Sequence, residues 1–187
     1  MRVNRPFVVI ALILGSMSAV RVASQASRPS QQSLLTQKPG LKNLDAWSGR
    51  WTTQGKLYDT AYSHAGNITI TMTCGWSAYN GYMICDHLFS GPAGKSNDLS
   101  IYTYDPADNS YRFYSVDQAG PPRSTPLTIE GDIWTYNSEM EKDGKKILIR
   151  TINDFSKAGM VTWNTKFSTD AGAHWTLMNE GVDTKVH

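Results

Sequence analysis

The chain has 187 residues, 40% hydrophobic and 18% charged, with 18 Lys and Arg against 16 Asp and Glu for a formal net charge of +2. That length suits one domain with a sizeable core. The near balance of charge excludes the concentrated basic face that nucleic-acid binding needs: Lys145-Lys146 stands near Lys142 but is interleaved with Glu141 and Asp143.

The chain opens on a targeting pattern. Arg2 and Arg5 form a positive start, residues 7–14 are an apolar run, and Ser24-Gln25-Ala26 fits small-x-small cleavage. The run is far shorter than the ~20 residues that span a bilayer, so residues 1–26 read as a cleavable signal peptide rather than an anchor helix. The expectation is a secreted or periplasmic protein with no membrane span in its mature chain. Three of the 18 basic residues (Arg2, Arg5, Arg21) lie in that segment, which holds no acid; the rest of the chain carries 15 Lys and Arg against 16 acids. Residues 27–40, rich in Ser, Gln and Pro, read as a solvated linker, leaving residues 41–187 as the domain.

Leu41, Leu44 and Trp47 recur at about helical spacing after Pro39-Gly40 and predict one short helical turn. From Gly49 onward the period is two. Ile68, Ile70, Met72, Cys74 and Trp76 alternate with Asn67 and a row of Thr, which puts one face inward and the other in water. Val161, Trp163, Thr165 and Phe167 repeat the pattern. Further strands are expected at 50–58, 81–90, 98–104, 110–116, 124–130, 132–139, 145–153 and 173–183. Asn80-Gly81, Asp105-Pro106 with Asp108-Asn109, Gly120-Pro121-Pro122, Asp143-Gly144 and Asp170-Ala171-Gly172 supply the turns between them. About ten short strands with no helix long enough to cover a sheet predict an all-β protein, an antiparallel up-and-down barrel or a sandwich, since sheet edges must be closed or covered.

Cys74 and Cys85 are the only cysteines. In an oxidising compartment an even pair reads first as a disulfide, worth roughly 3 kcal/mol for a loop of about 12 residues; reduced thiols or a metal site are the alternatives. Bonded cysteines on adjacent strands share a face, so Met83, Cys85, His87 and Phe89 should point inward, and Tyr82 and Asp86 outward. A two-residue Asn80-Gly81 turn would pair residue 76 with 85, whereas the disulfide pairs 74 with 85. The bond therefore asks for a longer loop.

Trp47-Ser48-Gly49-Arg50-Trp51 carries G-x-W at the start of the first strand, Tyr104-Asp105 follows at mid-chain, and Ser168-Thr169-Asp170-Ala171-Gly172-Ala173-His174-Trp175 precedes the last strand. In this order the motifs resemble the lipocalin-like, calycin-type barrels, and within them a bacterial lipocalin-like family of uncharacterised function. The resemblance spans about residues 41–184. It implies a barrel with an interior cavity, closed at one end by the G-x-W tryptophan, Trp51, beneath a basic residue that Lys185 or Arg150 could supply. Ala171 departs from the family, which often has Gly there.

No G-x-S-x-G occurs, so a hydrolase triad is not expected. His64, His87, His174 and His187 share no short segment, and no metal site is expected. Glu139 with Glu141, and Asp105 with Asp108, read as solvated turn acids, and Asp170 as bonded to its own backbone. Asn67-Ile68-Thr69 matches a glycosylation sequon, relevant only in a eukaryotic secretory pathway. His87, if inward, is either a satisfied core histidine or a ligand-contacting group, an axial haem ligand included. No cofactor is otherwise expected. The leading expectation is a binding module for a small, mainly apolar ligand contacted by Trp51, Met72, Trp76, Met83, His87, Phe89, Phe113, Trp134 and Trp163, some of which are simply core. A ligand-free interaction module is the alternative. A barrel enzyme with His87 as general base comes third, so the balance leans away from an enzyme, and oligomeric state is left open.

Overall fold

A computed structural model describes residues 39–117 and 120–187. The expected signal peptide and most of the linker lie outside the described residues. A 3-10 helix, Pro39–Trp47, leads into ten strands: β1 Gly49–Leu57, β2 Gly66–Trp76, β3 Met83–Gly91, β4 Gly94–Asp105, β5 Ser110–Asp117, β6 Arg123–Glu130, β7 Ile133–Lys142, β8 Lys145–Lys157, β9 Met160–Ser168 and β10 Thr176–Val186. Each pairs antiparallel with its sequence neighbour, and β1 pairs with β10 to close the barrel. The architecture is thus an up-and-down barrel, not a sandwich. Closure leaves no free sheet edge.

The three spaced apolar residues form a 3-10 helix because residues i and i+3 eclipse in that geometry, which lines Leu41, Leu44 and Trp47 on one buried face. The helix seals one barrel end. Gly40 lies so close to Tyr104 that an added Cβ would stand 2.2 Å from its ring. Tyr111 Oη donates to Gly40 O at 2.8 Å, Asn43 Nδ2 donates to Tyr111 Oη at 2.9 Å, and Trp76 Nε1 donates to Asp45 at 2.7 Å. The G-x-W glycine, Gly49, has φ 109°, a conformation other residues rarely adopt. Trp51 Nε1 donates to Trp47 O at 2.7 Å, and Lys185, rather than Arg150, lies over the Trp51 ring at 5.4 Å. Arg150 instead covers Trp175 at 4.2 Å.

The disulfide Cys74–Cys85 links β2 and β3 at directly paired positions. The same register sets Trp76 against Met83, and Ser77 N bonds Tyr82 O. The β2–β3 hairpin therefore uses a loop longer than the two-residue turn, with Asn80 at φ 50° inside it. Tyr82 and Asp86 point outward as expected. Several strand bounds differ from expectation, and β8 runs on to Lys157, past the expected 153. β4 starts at Gly94, since its first residues pair with β3 despite their polarity. β10 starts at Thr176, because residues 170–175 are spent in a side-chain-bonded turn. In that turn Ser168 Oγ donates to Asp170, Gly172 N donates to Ser168 Oγ at 2.9 Å, and Asp170 accepts from the backbone N–H of His174 at 2.9 Å. Those bonds hold the Asp170 carboxyl well below the usual carboxylate range. Among the described residues no helix is long and apolar enough to cross a membrane.

Ala171 sits in this turn at φ 57°, where a Cβ is strained. Ala171→Gly should therefore raise stability by about 0.5–1 kcal/mol, read as a higher urea midpoint; a lower midpoint would show that the turn gains more from a stiffer unfolded chain than it loses to strain.

Candidate ligand-binding cavity

The inward rows enclose a cavity of about 280 Å³ between the helix-sealed end and the opposite loops, and the helix and all ten strands contribute to its wall. At its base lie Trp47, Tyr102, Tyr136, Asn153, Thr53 and Asp183; further out lie Ile70, His87, Phe89, Asp98 and Ser138. The outer group is only partly buried, so this wall reaches solvent away from the helix.

Five residues expected from the sequence line the cavity: Met72, His87, Phe89, Phe113 and Trp163. The other four do not reach it. Trp51, Met83 and Trp134 are buried at the helix-sealed end, and Trp76 packs there on the helix. Trp134 lies against Phe155 at 4.6 Å with the rings tilted by 36°, and meets Trp47 edge-on at 6.3 Å. Strand alternation tells inward from outward but not the height along the barrel axis, and the helix fills one end with its own Trp47. The sequence reading also missed Asp98 and Asp183. Both lie on the inward period of their strands, Asp98 two residues before Ser100 and Asp183 two after Gly181. That spacing was the available signal.

Asp183, 5% exposed, accepts hydrogen bonds from Thr53 Oγ1 at 2.5 Å and Trp163 Nε1 at 3.2 Å, both at Oδ1. Burial pushes its carboxyl up to about 6, against the opposing pull of those two donors. Burial likewise lifts Asp98 to about 6; Asp117 adds to the rise and Arg123, which is paired with Asp117, opposes it. His87 is pushed down to about 4 by burial, the neighbouring Asp86 opposing. Its Nδ1 stands 4.0 Å from Asp98 Oδ1, too far for a hydrogen bond, and a neutral imidazole makes no ion pair. The ring instead stacks on Phe89 at 5.9 Å with planes 8° apart. His87 Nε2, Asp98 Oδ1, Tyr136 Oη and Trp47 Nε1 are buried and close no hydrogen bond. Burial raises the Tyr136 and Tyr102 phenols well above their ordinary value, keeping both neutral. Among the described residues no group of three or more His, Cys, Asp or Glu could hold a metal ion.

The Trp163 wall depends on two glycines. Gly55 and Gly181 face each other across β1 and β10. A Cβ on Gly181 would stand 2.5 Å from Trp163 Cζ2 and 2.7 Å from Gln54 O, and one on Gly55 would stand 3.1 Å from the same indole. The pair forms a notch that seats the ring.

No family model matches the chain, and no curated protein does. Among solved structures, Rv2717c from M. tuberculosis superposes with a TM-score of 0.57 at 9% identity, over 81% of this chain and 99% of its own. The S-type phycobiliprotein lyase CPES from Guillardia theta gives 0.57 at 8% identity, over 86% of this chain and 99% of its own. This chain shares the fold of both over most of its length. Identities this low speak to fold alone.

Gly181→Ala should cost about 1–3 kcal/mol by overpacking against Trp163, measured as a lowered urea midpoint; an unchanged or raised midpoint would mean the notch is not needed. The second expectation concerns pH. Asp183 has a folded pKa of about 6 against an ordinary 3.8. Its contribution to stability is therefore full below 3.8 and lost as pH rises through about 6. His87 runs the other way: its contribution is full above 6.5 and lost as pH falls through about 4. Asp183→Asn keeps an acceptor for Thr53 and Trp163 but removes the charge. It should exceed the wild type by about 3 kcal/mol at about pH 7.5 and lose that advantage towards about pH 4, while the His87 contribution cancels in the comparison. Unfolding curves at both pH values check this; a pH-independent difference would contradict the buried charge.

Proposed function

We propose that this protein is a secreted or periplasmic binding module that takes one small, mainly apolar molecule into its barrel. The observation that carries the reading is the cavity of about 280 Å³ whose aromatic and aliphatic wall also presents buried polar atoms without partners, His87 Nε2 and Tyr136 Oη among them. A barrel serving only as a scaffold would gain stability by filling that space, and unpaired buried polar groups cost free energy that a bound molecule can return. Small-molecule sites combine an apolar wall with a few inward polar groups. The disulfide fits an oxidising compartment. Both structural neighbours share the barrel, and one is described as a phycobiliprotein lyase, which fits a barrel that handles a ligand. An imidazole held near 4 is a poor base at neutral pH, which favours binding over general-base catalysis by His87.

The test is titration with N-phenylnaphthylamine, an uncharged fluorescent probe. The expected result is one saturable site with enhanced emission, weakened about tenfold or more by Ile70→Trp, which fills the cavity. Absence of saturable binding, or binding untouched by Ile70→Trp, would contradict an interior site. Native mass spectrometry of protein purified gently from its host identifies a retained ligand, and a haem mass would replace the apolar-ligand reading with iron ligation by His87.

A further inference from the structure

We propose that the molecule bound in the barrel is an organic cation, a protonated amine on an apolar body, held by the carboxylates of Asp183 and Asp98 among the aromatic faces of the cavity. The inference rests on the small-ligand reading and specifies its chemistry.

The charges of the cavity wall carry the argument. Two Asp line it, and no Lys, Arg or Glu does among the described residues. Asp183 is nearly fully buried, yet both of its hydrogen-bond donors, the Thr53 hydroxyl and the Trp163 indole, are neutral. They solvate the charge without neutralising it. Asp98 keeps Oδ1 without a partner, and Arg123, the cation near it among the described residues, is taken by Asp117. Two negative charges thus face an apolar space with no countercharge. Carboxylates in that position are costly unless a cation joins them.

A second, independent feature lies on the same wall. Tyr136 is 8% exposed, and its hydroxyl has Tyr102, Trp47 and Asn153 as polar neighbours but closes no well-formed hydrogen bond with them, which leaves its oxygen able to accept from an ammonium N–H. The rings of Tyr102, Tyr136, Phe113 and Trp163 line the same space and present faces that attract cations. A ligand bearing a carboxylate would meet two acids there, and an uncharged one would leave both uncompensated.

The test is calorimetric titration of the whole protein with three probes of one shape: phenethylamine, phenethyl alcohol and phenylacetate. At about pH 7.5 the amine should bind about tenfold or more tightly than the alcohol, with phenylacetate weakest. Asp183→Asn and Asp98→Asn should each reduce the amine towards the alcohol and leave the alcohol unchanged. On the wild type, lowering the pH from about 7.5 to about 5 should weaken the amine alone, because both carboxyls titrate near 6. The other groups around Asp98 are His87 on β3 with its neighbour Asp86, Asp117 on β5 and Arg123 on β6; around Asp183 they are the phenols of Tyr102 and Tyr136. Neither His87, held near 4, nor the phenols change charge over that interval. If Asp183→Asn does not fold, Asp98→Asn and the wild-type pH series decide. Equal or tighter binding of the alcohol or of phenylacetate overturns the amine assignment, and so does an amine preference that survives both substitutions. If N-phenylnaphthylamine still binds in that case, the small-ligand reading stands. Failure of the probe and of all three compounds overturns both.

Discussion

The bond from Trp51 Nε1 to the carbonyl of Trp47 ties the helical cap to the first strand at the seam where the barrel closes. Trp51 stands on β1, where the sheet closes against β10, and Lys185 of β10 lies over its ring. Trp47 ends the 3-10 helix and packs edge-on against Trp51, Trp134 and Phe155. One indole therefore ties the cap, the first strand and the last strand into one unit. An indole N–H buried in such a place needs an acceptor, and the carbonyl at the end of a helix is an acceptor left over by the helix itself.

That seal decides where the cavity lies. Large side chains fill the helix end, and above them the inward rows change to smaller or polar residues: Thr53, Ser100, Thr125 and Thr151. Side-chain volume is thereby withdrawn from the middle of the barrel. The disulfide and the paired glycines at Gly55 and Gly181 act on the walls rather than on the space, one locking the β2–β3 register and the other admitting the Trp163 ring.

The cavity departs from an ordinary core in its polar groups. A core carboxylate is usually paired or neutral. Here Asp183 and Asp98 titrate near 6 and hold charge at neutral pH, close to a histidine that stays uncharged. Native proteins keep such costly arrangements mainly at functional sites, and this one runs from the buried Asp183 at the cavity base to Asp98 and His87 on the partly exposed outer wall.

Much of the fold was legible in residues whose meaning is local. The Thr row of β2 gave the two-residue period, Asn-Gly and Asp-Gly pairs gave the turns, and Cys74 with Cys85 gave a shared face and a register that the structure reproduces. Even the inward direction of His87 followed from that pair. Alternation, turn chemistry and disulfide geometry depend on neighbours within a few residues, so the sequence by itself determined the strands, their antiparallel order and which side chains face in. Height along the barrel axis is different. It depends on how ten strands stagger on closing and on which space the helix occupies, so only the tertiary structure placed Trp51, Met83 and Trp134 in the seal and brought Asp98, Tyr136 and Asp183, from strands far apart in sequence, onto one cavity wall.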